Sequence, residues 1–265
     1  MYTKLGNQVL RTTQAGSEAL ANIVDNISNI KTLGYKKQET SFVETLNGEI
    51  SKHQNSDFSQ GLLSRTGQEF DFAIDGKGFF EVELPSGQRG YTRVGAFSLS
   101  ADGELVTAEG HKVLPRIEQT SIPKLINSQG GLNLQVSKPK LIIPAHLTPE
   151  VDEGGNIYGL NEQTGEKTKF GKISVVAFNN PSGLKPMDRG YYLETKDSGA
   201  PQEIETGINA KTQVKQGFVE QSNVDMASEF MNLAQMKNVL TAQLKVLKAI
   251  DKIYENIHFT ISRST

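Results

Sequence analysis

Two periodicities divide the chain. From Tyr2 to Ile30 a seven-residue repeat is readable, with Tyr2, Val9, Gly16, Ile23 and Ile30 in one row and Gly6, Thr13, Leu20 and Ile27 in the other. Half of this seam is small or polar, which would be weak in a coiled-coil dimer but allows close approach in a crowded bundle. The stretch from Ala21 to Lys37 is the most informative part of it. Ile23, Ile27 and Ile30 form an apolar stripe, and Asn22, Asn26 and Asn29 repeat the same spacing one residue earlier. Asparagine competes with the helical backbone for hydrogen bonds, so three in register call for an explanation. They form either a solvated amide face or a set of buried amides that fixes the register of packed helices. Thr32, Leu33, Gly34 and Tyr35 then stop the helix, with Gly34 suited to a left-handed residue after the last turn.

Residues 38–70 read as a loosely patterned polar connector. From Asp71 the period becomes two. Phe80, Val82 and Leu84 alternate with Glu81 and Glu83, Pro85 to Gln88 forms a turn, and Tyr91 to Val94 returns as the second strand of a hairpin. Phe97 and Leu99, the Asp102-Gly103 turn and Leu105 to Ala108 make a second hairpin, and Glu109-Gly110 turns into His111 to Leu114. Pro115 to Ser137 offers only Gly130-Gly131 as a turn. Further strands are expected at Leu141 to Ile143, Ile157 to Leu160, Ile173 to Phe178 and Tyr191 to Thr195. With no helical stretch between Asp71 and Gly207, this middle is expected to be an antiparallel β domain.

After Gly217 the helical period returns. Ser222 and Asp225 resemble a capping box, and Met226, Leu233, Leu240, Leu247, Tyr254 and Ile261 fall at unbroken sevens. Val239, Val246 and Ile253 widen the stripe, so this helix has more than one side to bury. The expected fold is α+β: long N- and C-terminal helices pairing as a coiled-coil-like bundle, with a central, mainly antiparallel β domain. The expected division is 1–37 N-terminal helical segment, 38–70 connector, 71–216 β domain and 217–265 C-terminal helical segment packing with the first. Ordering a helix costs about 1 to 2 kcal/mol per residue in backbone entropy, so two helices touching along one weak seam are marginal. The ends are therefore expected to order fully only when other copies supply further surfaces.

Composition narrows the function. At 265 residues the chain can bury a sizeable core. A net charge of −2 without a basic block argues against nucleic acid or an anionic membrane as partner. The absence of cysteine excludes disulfides, thiolate metal sites and a cysteine nucleophile. Lys4 has no apolar run behind it, so a cleaved secretory signal is not expected.

Catalytic parts are hard to assemble. His53, His111, His146 and His258 lack metal-ligand spacing. Ser121 and Lys124 make a Ser-x-x-Lys without partner motifs, and Gly76-Lys77-Gly78 lacks phosphate-loop spacing. Asp71 with Asp75, and Asp152 with Glu153, suit turns better than a calcium loop. No cofactor, metal or small-molecule substrate is expected.

Three segments carry a family resemblance. Asp25-Asn26-Ile27-Ser28-Asn29 followed by Thr32-Leu33-Gly34-Tyr35-Lys36 is similar to the N-terminal signature of the bacterial flagellar rod and hook (axial) proteins. Asp71-Phe72-Ala73-Ile74-Asp75-Gly76-Lys77-Gly78-Phe79-Phe80, continuing through Tyr91-Thr92-Arg93 to Gly103 and Leu105, is the most specific match. Gly217 with Glu220-Gln221-Ser222-Asn223-Val224-Asp225 resembles the opening of the family's C-terminal helix, and Phe178 to Leu184 adds a weaker match. Leu33 departs from the family's frequent proline, and the 38–68 connector looks shorter than is usual in the distal rod protein.

The resemblance implies a rod subunit of the basal body, distal or proximal. Such a subunit assembles into a helical tube with its own copies and neighbouring axial proteins, and is exported through the flagellar apparatus without a cleaved signal. Its assembly interface is expected to include Asn22, Ile23, Asn26, Ile27, Asn29, Ile30, Gly34 and Tyr35. From the C-terminal segment it is expected to include Ser222, Asn223, Val224, Phe230, Leu233, Leu240 and Leu247. A hook subunit, a surface adhesin oligomerising through its helices and an enzyme are the competing readings.

Overall fold

The structure, a computed structural model, describes residues 2–44, 50–116, 141–144, 147–160 and 167–263. The expected turn at Gly130-Gly131, the Ser121/Lys124 pair and His146 lie outside the described residues. So do the side chains of His53, Tyr254, His258 and Ile261. The chain forms two compact units, one of residues 1–31, 36–57 and 224–265, the other of residues 32–35 and 58–223.

The first unit holds α1 (Tyr2–Ser28), the hairpin β1 (Gln38–Glu44) and β2 (Ile50–Ser56), and α2 (Met226–Arg263). The polar 38–70 stretch is thus partly strand, with Gln38 facing Ser56 and Glu44 facing Ile50. α1 ends at Ser28, where Ser28 Oγ and Asn29 Nδ2 donate to the carbonyls of Val24 and Asp25 at 2.8 and 2.9 Å. The Asp25 carbonyl also accepts the Asn29 N–H at 3.0 Å, so the side-chain amide reinforces the last backbone bond of the helix. α2 contains no glycine or proline and is capped by Asp225, whose Oδ2 accepts the N–H of Ser228 at 3.1 Å and its hydroxyl at 2.5 Å. The cap is therefore Asp225 with Ser228, not the predicted Ser222 with Asp225.

The coiled-coil-like bundle is not formed. Among the described residues there are two α-helices, one from each end of the chain. They run antiparallel, since Asn26 meets Glu229 while Gly16 meets Leu240. Among the side chains of α1 that are described, from residue 11 on, the buried positions are Gly16, Ala19, Ile23 and Asn26. One predicted row is kept in Gly16 and Ile23, but Ala19 and Asn26 replace Leu20 and Ile27 in the other. Small residues and a polar Asn26–Glu229 contact occupy places where a heptad bundle needs interlocking apolar side chains. α2 leaves large apolar side chains outward on more than one face, Met226 and Phe230 on one and Val239, Val246 and Ile253 on another. The architecture is a mainly β body with one helix at each chain end.

That body is the second unit, and every strand pairing among its described residues is antiparallel. In chain order its strands are β3 (Leu63–Arg65), β4 (Phe72–Asp75), β5 (Phe79–Glu83), β6 (Arg89–Thr92), β7 (Phe97–Leu99), β8 (Leu105–Thr107) and β9 (Lys112–Val113). There follow β10 (Thr148–Val151), β11 (Asn156–Leu160), β12 (Lys167–Lys172), β13 (Val175–Ala177), β14 (Lys185–Pro186), β15 (Tyr191–Leu193), β16 (Gln202–Glu203), β17 (Gln213–Gln216) and β18 (Phe218–Glu220). β5 lies at the centre of the main sheet. β6 pairs along one edge, with Phe80 opposite Thr92 and Glu83 opposite Arg89, and β13 and β9 share the other. The predicted hairpins at 80–94 and 97–108 are the β5–β6 and β7–β8 pairs. Leu141 to Ile143 makes only a bridge from Ile142 to Glu104 rather than a strand.

Alternation aims Phe72, Ile74, Phe80, Val82, Leu105 and Ile173 into one core. Phe79, Tyr91, Val176, Phe178 and Tyr192 form a second cluster, where Phe58 stacks edge-on against Phe79 and Tyr192 at 5.2 and 5.0 Å. Edge-to-face contacts match the ring quadrupoles and hold the segment at Phe58 on the sheet.

Candidate assembly surface

In the helical unit, the α1 amides do three different things. Asn26 is buried, with Oδ1 accepting the Gln38 N–H and Nδ2 donating to the Gln38 carbonyl, each at 2.9 Å. Its Nδ2 also lies 3.4 Å from Glu229 Oε2. Asn22 donates to Thr40, and Asn29 caps its own helix. Of the two sequence readings of this amide row, burial holds for Asn26, while the Asn29 amide is bonded to the Asp25 carbonyl of its own helix. Ile23 is buried beside Asn26, and Ile27 and Ile30 are half-buried.

Glu229 had no signal in the sequence pattern, because an acidic residue in the first turn of a helix reads as dipole compensation. Here it is buried, accepting from Lys37 Nζ at 3.1 Å and from Asn232 Nδ2 at 3.4 Å. Burial alone would lower the Lys37 pKa, but hydrogen bonds to Glu229 and Glu39 outweigh it, and the ammonium is held above its ordinary value. A groove of about 370 Å³ opens beside this cluster, lined by Asn22, Ile23 and Asn26 of α1, Gln38 and Thr40 of β1, and Glu229, Asn232 and Met236 of α2.

On α2, Leu233, Leu240 and Leu247 are half-buried, while Phe230 is 51% exposed. With Met226, Met231, Val239, Leu244, Val246 and Ile253 it makes seven exposed large apolar side chains among the described residues of this helix. Val224 is buried in the same unit. Gly34, Tyr35, Ser222 and Asn223 belong to the β body instead. The structure thus gathers Asn22, Ile23 and Asn26 around one groove, and sets the other predicted positions elsewhere.

The acidic pairs have structural partners. Asp75 receives Lys215 Nζ at 2.5 Å, and Asp152 accepts the N–H of Asn156 at 2.9 Å, closing a turn. His111 packs its ring edge-on against Tyr191 at 5.1 Å. Among the described residues, no group of His, Asp and Glu side chains could hold a metal ion. No helix among them is long and apolar enough to cross a membrane.

The comparisons with known proteins agree with the motifs. Residues 73–158 match the family model of the flagellar hook protein FlgE/F/G D1 domain, and residues 215–257 match that of the flagellar basal body rod FlgEFG protein C-terminal region. The chain is 29% identical over 259 aligned residues to the flagellar basal-body rod protein FlgG of Buchnera aphidicola from Acyrthosiphon pisum, covering 89% of this chain and 91% of the relative. It is 27% identical over 281 aligned residues to FlgG of Bacillus subtilis, covering 94% and 98%. To FlgF of Mesorhizobium japonicum it is 27% identical over 237 aligned residues, covering 86% and 85%. Matches to a body model and a C-terminal model in the family's order, together with rod proteins aligned along most of their length, make the chain similar to the bacterial flagellar basal-body rod and hook proteins, and to those of the rod type in particular.

Proposed function

We infer that the protein is a structural subunit of the flagellar basal-body rod. It polymerises with its own copies and with neighbouring axial proteins into a helical tube that transmits torque. The observation that carries this reading is end-to-end alignment with rod proteins, which leaves no room for a large middle insertion of the hook type. The large apolar side chains that α2 exposes on more than one face support it, because a subunit meeting its neighbours by heterologous, non-closing contacts needs apolar surface for several of them. Residues Ile27, Ile30, Phe230 and Leu233, with Leu240 and Leu247, are proposed to serve that assembly. Export through the flagellar apparatus without a cleaved signal completes the proposal.

The test is complementation of a strain lacking this gene. Leu240→Asp and Ile27→Asp are expected to abolish swimming while the purified variants keep the circular dichroism and thermal transition of the β body. Normal swimming in either variant would remove the helices from the assembly role. Hydrolysis of an ester or glycoside by purified protein would favour the enzyme reading.

A further inference from the structure

Three separate parts of the chain meet at the end of β18, where residues 32–35 and 59–62 flank residues 220–223 from opposite sides, all within the β body. The Gly34 N–H donates to the Glu220 carbonyl at 2.8 Å, and the Asn223 N–H reaches the Tyr35 carbonyl at 3.4 Å. The Gln221 N–H donates to the Leu62 carbonyl at 2.9 Å, and Asn223 Nδ2 donates to Ser59 at its carbonyl (3.2 Å) and its hydroxyl (3.0 Å). The Glu220 side chain joins the same place, with Oε1 accepting the Gly61 N–H at 2.8 Å and Oε2 lying 3.3 Å from Arg93 Nη1.

Arg93 anchors this meeting point from beneath. Its guanidinium is 3% exposed and also donates to the carbonyls of Ile74 and Gly76 at 3.3 and 2.7 Å, and it lies over the Phe79 ring at 5.7 Å. The approach of the segments is too close for side chains at two positions. A Cβ on Gly61 would stand 2.1 Å from the Gln221 carbonyl oxygen, and one on Gly34 would stand 2.8 Å from the backbone of Arg93 and Val94. Gly34 is also left-handed, at φ 63°.

Residues 32–35 are the chain just after α1, and 221–223 are the chain just before α2. We propose that residues 32–35, 59–62 and 220–223 form a single clasp, cross-tied by Glu220 and seated on Arg93, so that the two leads into the terminal helices open and close together. Glu220 is the positioning residue. Its backbone carbonyl holds one segment and its carboxylate holds another, while the guanidinium supplies the countercharge that makes burial of that carboxylate tolerable. The use of the clasp, sharing load between the two leads, rests on the rod-subunit reading; the clasp itself does not.

Native-state hydrogen exchange of the full chain at graded, low denaturant tests it. The amides of Gly34, Gly61, Gln221 and Asn223 are expected to exchange through one shared opening with one denaturant slope, below the opening of β5 and β6. In Glu220→Gln, which keeps an acceptor for Gly61 but removes the charge facing Arg93, all four should speed up together, by about a hundredfold given what unpairing a buried charge costs. Separate slopes for Gly34 and Asn223 in the unaltered chain would overturn the proposal. So would a Glu220→Gln variant in which Gln221 and Asn223 accelerate while Gly34 does not. If that variant loses protection in β5 and β6 as well, the slopes of the unaltered chain decide.

Discussion

The side-chain amide of Asn26 pairs with the backbone of Gln38 as a neighbouring strand would, accepting from its N–H and donating to its carbonyl, each at 2.9 Å. One helical side chain thereby fixes where β1 begins, and its remaining contact to Glu229 brings the start of α2 to the same point. Asn26→Ala would leave the half-buried backbone groups of Gln38 and the buried carboxylate of Glu229 without these partners. Each such group costs about 1 to 3 kcal/mol, so a loss of about 2 to 4 kcal/mol is expected in urea unfolding followed at the helical signal. Asn29→Ala, which removes an exposed bond to Asp25, should cost less than about 1 kcal/mol.

Two glycines separate helix propensity from close packing. A Cβ on Gly16 would stand 2.8 Å from the tip of the Leu240 side chain and 3.5 Å from Gln243 Oε1, whereas one on Gly95 would stand 1.7 Å from the backbone oxygen of Phe72. Leu240 can turn away and the Phe72 backbone cannot. Gly16→Ala should be neutral or stabilising by up to about 1 kcal/mol, the helix-propensity difference. Gly95→Ala should destabilise the body by several kcal/mol, on the scale of severe core overpacking. Denaturation midpoints of the two variants check both signs.

Core truncation should divide the body from its surface. Phe80 is fully buried in the central strand and packs edge-on against Phe97 at 5.3 Å, so Phe80→Ala should cost about 3 to 5 kcal/mol. Ile208 is 78% exposed, and Ile208→Ser should stay within about 0.5 kcal/mol of the unaltered chain. Calorimetry of the two variants makes the comparison.

Stability should fall at both extremes of pH, for opposite reasons. The Lys215 ammonium holds the Asp75 carboxyl below its ordinary 3.8, and the hydroxyl and N–H of Ser228 do the same for Asp225. Their contribution is full above the ordinary value and is lost as pH falls through the lowered folded values. Lys37 is held above its ordinary 10.5, so its contribution is full below that value and is lost as pH rises through the folded one. Thermal midpoints measured against pH should show a shallower acid limb for the pair Asp75→Asn and Asp225→Asn. They should show a shallower alkaline limb for Lys37→Met.

Alternation was sufficient for β5 to β8: Phe80 and Val82 set against Glu81 and Glu83, with the Asp102-Gly103 turn, locate them to within a residue or two, although Glu81 and Phe79 are buried as well. The β1–β2 hairpin was illegible because Gln38-Glu39-Thr40-Ser41 has no apolar alternation to betray a strand. The helix seam was displaced by one residue because the heptad count ranks Leu20 and Ile27 above Ala19 and Asn26, while the contact itself favours residues that let the backbones approach. The charges that organise the interior, Arg93 with Glu220 and Lys37 with Glu229, were silent for a further reason. Their partners lie more than a hundred residues away, and each alone reads as a surface residue. The Gly34 and Asn223 motifs were recognised as signatures, but only the coordinates show that they touch the same strand.

The cap on α2 bears on the order of events in time. Asp225 and Ser228 write the helix's start signal within four residues, and no glycine or proline interrupts the turns beyond it. α1 carries no acidic residue in its first turn, contains Gly6 and Gly16, and draws its buried bonds from Gln38 and Glu229. Nucleating a helical turn is the slow, unfavourable step, and a cap lowers it locally. A freshly released chain should therefore form its last-synthesised helix before its first, with α1 condensing onto a partner that already exists.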